Sequence, residues 1–212
     1  MGSHARSPGW PIRALALIVL STTAVAAASE TGLTGGEGHP RARFPLALHA
    51  ASLGEPALAA AVRKAVADWS AVSEATLGVT AFRWADERSG ADVVVDFEPA
   101  SGGQRMGEAR FTVAPSGAIE LPVRVVIIEP RARGETSRET LLYQVVAHEL
   151  GHALGLAHVT DPRSVMCCDY GAIDFKNSAI RGAYLEARRH PDVGSVKAQL
   201  AAHYERFWRR SP

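Results

Sequence analysis

Apolar residues recur at three- and four-residue steps in two stretches of the chain, which is the spacing of an amphipathic helix. The first stretch follows Pro56, a residue that suits the first turn of a helix, and its apolar positions are Leu58, Val62, Ala65, Trp69 and Val72. The second stretch begins near Asp192, and its apolar positions are Val193, Val196, Leu200, Tyr204 and Phe207. Each stretch therefore predicts a helix that buries one face.

A third helix is predicted over residues 137–154. Thr136 and Glu139 have the spacing of a capping box, in which two side chains bind free backbone N–H groups at a helix start. Gly155 suits the end of this helix, because glycine readily adopts the left-handed conformation that terminates helices. The residues that follow, 159–175, have no regular pattern and predict irregular chain.

Shorter apolar stretches between turn-forming residues predict β-strands. They cover residues 43–50, 79–86, 91–98, 107–113 and 123–129. The third and fifth are rich in β-branched residues at successive positions, as in strands buried on both faces, whereas the fourth alternates like a half-exposed strand. This order of elements predicts an α+β fold with layered α/β character, in which helices back one twisted sheet.

The composition is that of one folded domain. The chain has 212 residues, of which 47% are hydrophobic, enough for one substantial core but few for two domains. The formal net charge is +1. Because no basic patch with interleaved aromatic residues is present, nothing in the sequence predicts a nucleic-acid partner.

Residues 1–28 have the pattern of a secretory signal peptide. Arg6 and Arg13 supply the positive region, residues 14–20 supply the apolar region, and small residues precede a cleavage site after Ala28. We therefore expect a secreted or periplasmic protein.

An uncleaved membrane anchor is the alternative to a cleaved signal, although the apolar stretch is short for a membrane span. We therefore expect no stable membrane span in the mature protein. Residues 29–42 are rich in Gly, Ser and Thr and predict a flexible leader, which leaves residues 43–212 as the folded domain.

The sequence HELGHALGLAH, which begins at His148, carries the candidate chemistry. His148 and His152 lie four residues apart and therefore on one face of a helix. A turn at Gly155 would bring His158 back as a third nitrogen ligand. Three protein ligands with an open fourth position are typical of a catalytic zinc site, and Glu149 lies beside the first ligand. A buried helix with incidental histidines is disfavoured, because burying them without a partner is costly.

This arrangement predicts hydrolysis by a zinc-activated water, for which a peptide bond is one candidate substrate. Zinc held by neutral histidines lowers the pKa of a water molecule, and Glu149 would serve as the general base that takes its proton. Two other functions remain open: a zinc-binding interaction module without turnover, and a zinc hydrolase that acts on a non-peptide amide. The glutamate argues against the first, because metal binding alone needs no base.

The motif resembles a known family over its full length. The pattern H-E-x-x-H-x-x-G-x-x-H, with Met166 eight residues after His158 in the sequence Ser-Val-Met, is similar to that of metzincin metalloproteases and most of all to the matrixin branch. The resemblance extends over residues 43–207. It implies a metzincin-like fold in which the zinc helix is followed by a Met-turn and a C-terminal helix.

The resemblance also assigns roles to individual residues. His148, His152 and His158 match the zinc ligands, and Glu149 matches the general base. Met166 matches the methionine that packs beneath the metal without binding it. The resemblance implies one catalytic zinc ion, since the histidines and the acidic loop of the family's other metal sites are not evident.

Two further residues match the wall of the family's substrate pocket. They are Gln144, one helical turn before His148, and Tyr170, four residues after Met166. For Gln144 a polar position at the rim is an equally good interpretation. A protein or peptide substrate is expected to add as an extended strand along an exposed sheet edge, for which residues 107–113 are the candidate. The oligomeric state is not predicted.

Cys167 and Cys168 depart from the matrixin pattern, which usually has another sequence after the methionine. Adjacent Cα atoms lie about 3.8 Å apart across a trans peptide bond, less than the usual span of a disulfide. The sequence leaves open a vicinal disulfide and, less favoured, a thiolate that caps the zinc. In either case the pair is expected to be structural and not catalytic.

Overall fold

The computed structural model describes Met1 and residues 27–29, 32–100, 105–132, 134–168 and 171–210. Most of the predicted signal peptide, including its apolar region at residues 14–20, lies outside these described residues.

One mixed sheet of six strands forms the centre of the fold. The strands are β1 (Ala27–Ser29), β2 (Leu46–Ala50), β3 (Phe82–Trp84), β4 (Val93–Glu98), β5 (Gly107–Thr112) and β6 (Val123–Ile128). Their order across the sheet is β1-β5-β6-β4-β2-β3. Strands β3, β2, β4 and β6 are parallel, whereas β5 runs antiparallel to β6, and β1 runs antiparallel to β5.

Each predicted strand is present, as β2 to β6. The sequence explains which faces of these strands are buried. Val93, Val94 and Val95 of β4 are all buried, as expected for a strand covered on both sides. In β6, by contrast, Arg124 is exposed and burial alternates, so one face of this strand is only partly covered. Strand β5 alternates in burial, as predicted.

The α-helices of the described residues complete an α+β fold, and the first two contact the sheet, which confirms the predicted fold class. They are α1 (Pro56–Leu77), α2 (Arg138–Ala153), α3 (Ser178–Arg189) and α4 (Lys197–Arg210). Trp69 of α1 is fully buried, and its Nε1–H donates a hydrogen bond to the carbonyl of Ala147 in α2 at 2.8 Å. The indole therefore joins α1 to α2. No described helix is long and apolar enough to cross a bilayer.

Three details of the helices differ from the sequence prediction. The last α-helix, predicted to begin near Asp192, begins at Lys197, and Val193–Val196 before it form a 3-10 turn capped by Asp192. The N-cap of α2 is Ser137, whose side chain accepts a hydrogen bond from the N–H of Thr140, so Thr136 does not have the predicted capping role. Helix α3 was not predicted at all. It begins after Asn177, whose side chain accepts bonds from the N–H groups of Ala179 and Ile180, and it contains no buried residue.

Part of the predicted flexible leader, residues 29–42, packs against the domain. His39 is fully buried, and its carbonyl accepts a hydrogen bond from Nε1–H of Trp208 at 2.9 Å. Gly38 permits this approach to α4, because a Cβ at this position would lie 3.1 Å from the ring of Phe207. The packed structure therefore includes residues before 43.

Strand β1 covers part of an edge that the sequence predicted to be exposed. Ala27, Ala28 and Ser29 pair with Thr112, Phe111 and Arg110 of β5. Ala27 and Ala28 belong to the predicted signal peptide, so cleavage after Ala28 would remove two of these three pairs.

Candidate metal centre

Helix α2 places two imidazoles side by side. His148 and His152 are separated by four residues, about one helical turn, and their Nε2 atoms lie 3.0 Å apart. Helix α2 is fixed in the core by buried apolar residues on the faces that surround this pair. The two histidines are thus presented by a rigid element.

A turn at Gly155 brings the third histidine to the pair. Gly155 has φ +87°, and the N–H of Leu156 bonds back to the carbonyl of Gly151 at 3.0 Å, so the chain reverses at the end of α2. Nε2 of His158 lies 3.0 Å from Nε2 of His148 and 3.1 Å from Nε2 of His152. The structure therefore brings together the three residues that the sequence proposed as ligands.

Gly155 is also needed for space. A Cβ at this position would collide with the carbonyl oxygen of Glu37, which belongs to the segment that packs against α4. Nε2 of His39 in the same segment lies 2.8 Å from the carbonyl of Ala153 at the end of α2. The N-terminal segment therefore supports the turn that directs His158 towards the site.

Backbone carbonyls determine which ring nitrogen carries the proton. Nδ1 of His148 lies 2.8 Å from the carbonyl of Val165, and Nδ1 of His152 lies 2.8 Å from the carbonyl of Leu156. A carbonyl only accepts hydrogen bonds, so each Nδ1 carries the hydrogen and donates it. The Nε2 lone pairs are then free to bind a cation, which is the usual arrangement of metal-binding histidines.

Burial keeps these imidazoles neutral at physiological pH. Desolvation by burial lowers the pKa of His148 to about 4. Burial, together with the neighbouring His148 and His158 rings, lowers the pKa of His152 to about 2. Neutral imidazole is the form that binds metals, so protons do not compete for the nitrogens of His148 and His152 near pH 7.

The donor set fits zinc. Tetrahedral zinc with Zn–N distances of about 2.0–2.1 Å requires nitrogen atoms roughly 3.3 Å apart, close to the observed separations of 3.0 to 3.1 Å. Three lone pairs facing one point at this distance repel each other unless a cation lies between them. His148, His152 and His158 are therefore the residues that would hold the ion.

Met166 lies directly under the zinc helix and is fully buried. A Cβ at Gly151 would collide with Sδ of Met166 and would lie 3.1 Å from the ring of Trp69. Gly151, between the two helical ligands, thus makes room for the thioether. The N–H of Val159 bonds to the carbonyl of Met166 at 3.1 Å, which ties the Met-turn to the residue after His158.

Glu149, the proposed general base, is 4% exposed and lies on α2 next to His148. Its side chain packs against Gly107, the first residue of β5. Sequence reasoning did not single out Gly107, since nothing in the local pattern of a strand indicates which distant side chain it faces.

Gln144 and Arg188 form a polar link between α2 and α3. With the amide of Gln144 in its favourable orientation, the side-chain oxygen accepts bonds from Nε and Nη1 of Arg188 at 3.0 and 2.9 Å. Nη2 of Arg188 also donates to the carbonyl of Cys167 at 2.6 Å. Arg188 was not identified from the sequence, because it belongs to the helix that was not predicted.

The remaining predicted site residues lie after the Met-turn. Tyr170 lies outside the described residues. The sulfur atoms of Cys167 and Cys168 lie against each other, which favours the vicinal disulfide over a thiolate that caps the zinc.

Comparison with known proteins agrees with the geometry. A family model described as Matrixin matches residues 43–182. The chain is 57% identical to macrophage metalloelastase of Oryctolagus cuniculus over 35 residues, which are 16% of this chain and 8% of that protein. It is 61% identical to matrilysin of Felis catus over 33 residues, which are 16% of this chain and 13% of that protein. The two matches thus span a small part of each relative. Because the family model covers well over half of the sequence, the chain belongs to the matrixin family of zinc metallopeptidases.

Proposed function

We propose that this protein is a secreted or periplasmic zinc-dependent endopeptidase with Glu149 as its general base. The observation that supports this most is the convergence of three imidazoles, two of them on the helix that also carries the Glu149 carboxylate. A structural zinc site usually has four protein ligands, whereas a catalytic site has three and leaves a position for water or substrate. The described residues supply three.

The proposed chemistry divides between the metal and the protein. Zinc, when bound, supplies a Lewis acid that polarises the scissile carbonyl. Glu149 accepts a proton from the attacking water and returns it to the leaving amine. His148 and His152 keep their Nδ1–H groups on backbone carbonyls, which holds both rings in one orientation during the reaction.

The substrate is proposed to be an extended peptide that adds to the outer edge of β5 through main-chain hydrogen bonds. Strand β1 occupies Arg110–Thr112 of this edge, and cleavage after Ala28 removes most of β1. Gln144, held by Arg188, and Tyr170 are proposed to form the wall of the pocket beyond the scissile bond.

Digestion of casein and of a peptide library tests the activity. The purified protein should cleave internal peptide bonds, lose cleavage with a chelator and regain it when zinc is added. Zinc-loaded protein that cleaves no peptide would contradict the proposal and favour a binding module. Hydrolysis of small amides without peptide cleavage would favour the amide hydrolase instead.

Sequencing the N-terminus of the exported protein tests its processing. The proposal expects Ser29 as the first residue, outside the cytoplasm. Recovery of Met1 in the exported fraction would contradict cleavage.

A further inference from the structure

Gly107 lies against the side chain of Glu149 more closely than any other residue type would permit. A Cβ at position 107 would lie 2.6 Å from Oε1, 2.7 Å from Cγ and 2.9 Å from Cδ of Glu149. Carbon atoms in ordinary contact lie about 3.5–4.0 Å apart. Gly107 is not among the glycines with positive φ, so its backbone would accept another residue. The requirement for glycine here is one of space.

The two backbones on either side of this contact are fixed. Gly107 pairs with Ile127 in the antiparallel ladder between β5 and β6. Glu149 lies on α2 between buried neighbours, including Leu150 and Val146, which are fully buried. The Glu149 side chain, by contrast, turns about its own single bonds. An added methyl group would therefore move the carboxylate and leave the helix and the strand in place.

We propose that Gly107 is a positioning residue for Glu149: its lack of a side chain lets the carboxylate occupy the place from which it acts as the general base. This inference rests on the proposed role of Glu149. Gly107 does not touch the metal in this account, and its only contact with substrate is through its main chain on the edge of β5. It acts by leaving open the volume that the Glu149 side chain fills.

Adding a side chain at two other glycines near the site would have a different effect, which makes the inference specific to Gly107. A Cβ at Gly155 would meet the backbone of Glu37, so a residue there would disturb the turn that carries His158. A Cβ at Gly151 would meet Met166 and Trp69, both fully buried, so it would overpack the core. Of these three glycines, Gly107 alone has all its nearest atoms in the proposed base.

The first measurement is kinetic and compares Gly107→Ala with the wild type. A displacement of about 1 Å at a reacting group costs on the order of 10²-fold in rate. We therefore expect kcat to fall by about 10- to 100-fold, with KM, zinc content and melting temperature unchanged. Gly182→Ala is the matched control, because a Cβ at Gly182 meets nothing within 4 Å, and its kcat, KM and zinc content should equal those of the wild type.

A double variant separates positioning from a general effect on the site. In the Glu149→Ala background the side chain that Gly107 accommodates is gone, so Gly107→Ala should cause no further loss of the residual rate. An additional loss of tenfold or more in this background would show that Gly107 acts on something other than Glu149, and would overturn the proposal.

The second measurement does not depend on activity. A crystal structure of zinc-loaded Gly107→Ala should show the Glu149 carboxylate displaced by about 1 Å, the distance needed to restore ordinary contact, with the backbones of α2 and β5 unmoved. An unmoved carboxylate, a shifted backbone, a full wild-type kcat, or loss of zinc or fold would each overturn the inference. A wild type that cleaves no peptide would instead contradict the proposed function, and the crystallographic result would still decide whether Gly107 positions Glu149.

Discussion

Glu149 and His152 lie three residues apart on α2, yet their removal should have different consequences. Glu149→Ala removes a carboxylate that is not among the clustered ligand atoms, so the variant should retain about one zinc per chain. Its hydrolysis should fall by about 10²- to 10⁴-fold, the usual contribution of a general base. His152→Ala removes a ligand and should lose the metal. Zinc content and peptide hydrolysis, measured on the same preparations, check both expectations.

His190→Ala is the control for this pair, because His190 is exposed and lies outside the ligand group. Its zinc content and rate should equal those of the wild type. Full hydrolysis by Glu149→Ala would mean that another group activates the water. A zinc-loaded His152→Ala would mean that the ion is held elsewhere.

The ligands could be predicted from the sequence because their geometry is local. His148 and His152 share a helical face by spacing alone, and Gly155 lies close enough in sequence to indicate the turn before His158. Gly107 could not be predicted, since it meets Glu149 only after β5 has been placed against α2. Residues that act by leaving space carry no chemical group that a sequence would reveal.

Helix α3 depends on polar contacts more than on burial. It has no buried residue, and Arg188 ties it to Gln144 and to the carbonyl of Cys167. Arg188→Met keeps an unbranched apolar side chain and removes these donors. We expect α3 to open more often and a protease that cuts after aromatic residues to cleave several-fold faster near Phe175 and Tyr184. The Glu149→Ala background prevents self-digestion during the measurement.

The neighbouring arginine provides the control for α3. Arg189 forms an ion pair with Glu135 at 3.0 Å in which both side chains are more than half exposed, and such pairs contribute about 0–1 kcal/mol. Arg189→Met should therefore leave the cleavage rate near that of the parent. Equal rates for both variants would show that Arg188 does not hold the helix.

The elements that sequence reasoning identified are those that bury an apolar face. Leu58, Trp69 and Val72 of α1 are all buried, and their spacing predicted the helix. Helix α3 also has apolar residues at helical spacing, such as Ile180, Tyr184 and Ala187. They are only partly buried and Leu185 is exposed, so α3 lacks a fully buried apolar face. The sequence predicted that α2 begins one residue earlier than it does. Thr136 and Ser137 are both suitable N-caps, and only the folded backbone distinguishes them.

The whole molecule should lose stability in mild acid because of two buried histidines far from the ligands in sequence. Burial lowers the pKa of His39 and of His203 from 6.5 to about 4. Between these values the unfolded chain binds more protons than the folded one, so stability is complete above pH 6.5 and falls as the pH decreases towards 4. A shift of this size corresponds to about 3 kcal/mol per group.

Replacing His39 tests this dependence in the zinc-loaded protein. His39→Gln retains a neutral donor for the carbonyl of Ala153, and its stability should depend on pH by about one proton less between pH 6.5 and 4. Denaturant unfolding at a series of pH values measures this slope. His190→Gln, which changes an exposed residue, should keep the wild-type slope. An unchanged slope in His39→Gln would show that this histidine does not take up the proton.

The contact between the N-terminal segment and α4 places the two ends of the packed domain side by side. Nη2 of Arg210 donates to the carbonyl of Gly36 at 3.2 Å. Domains whose ends meet tolerate circular permutation when the new ends lie in an exposed loop, and residues 86–90 between β3 and β4 form such a loop. A chain joined across the old ends and opened there would still place Glu37 against Gly155. The geometry of the zinc site therefore depends on which surfaces pack together. The order of the elements along the chain can be changed without altering that packing.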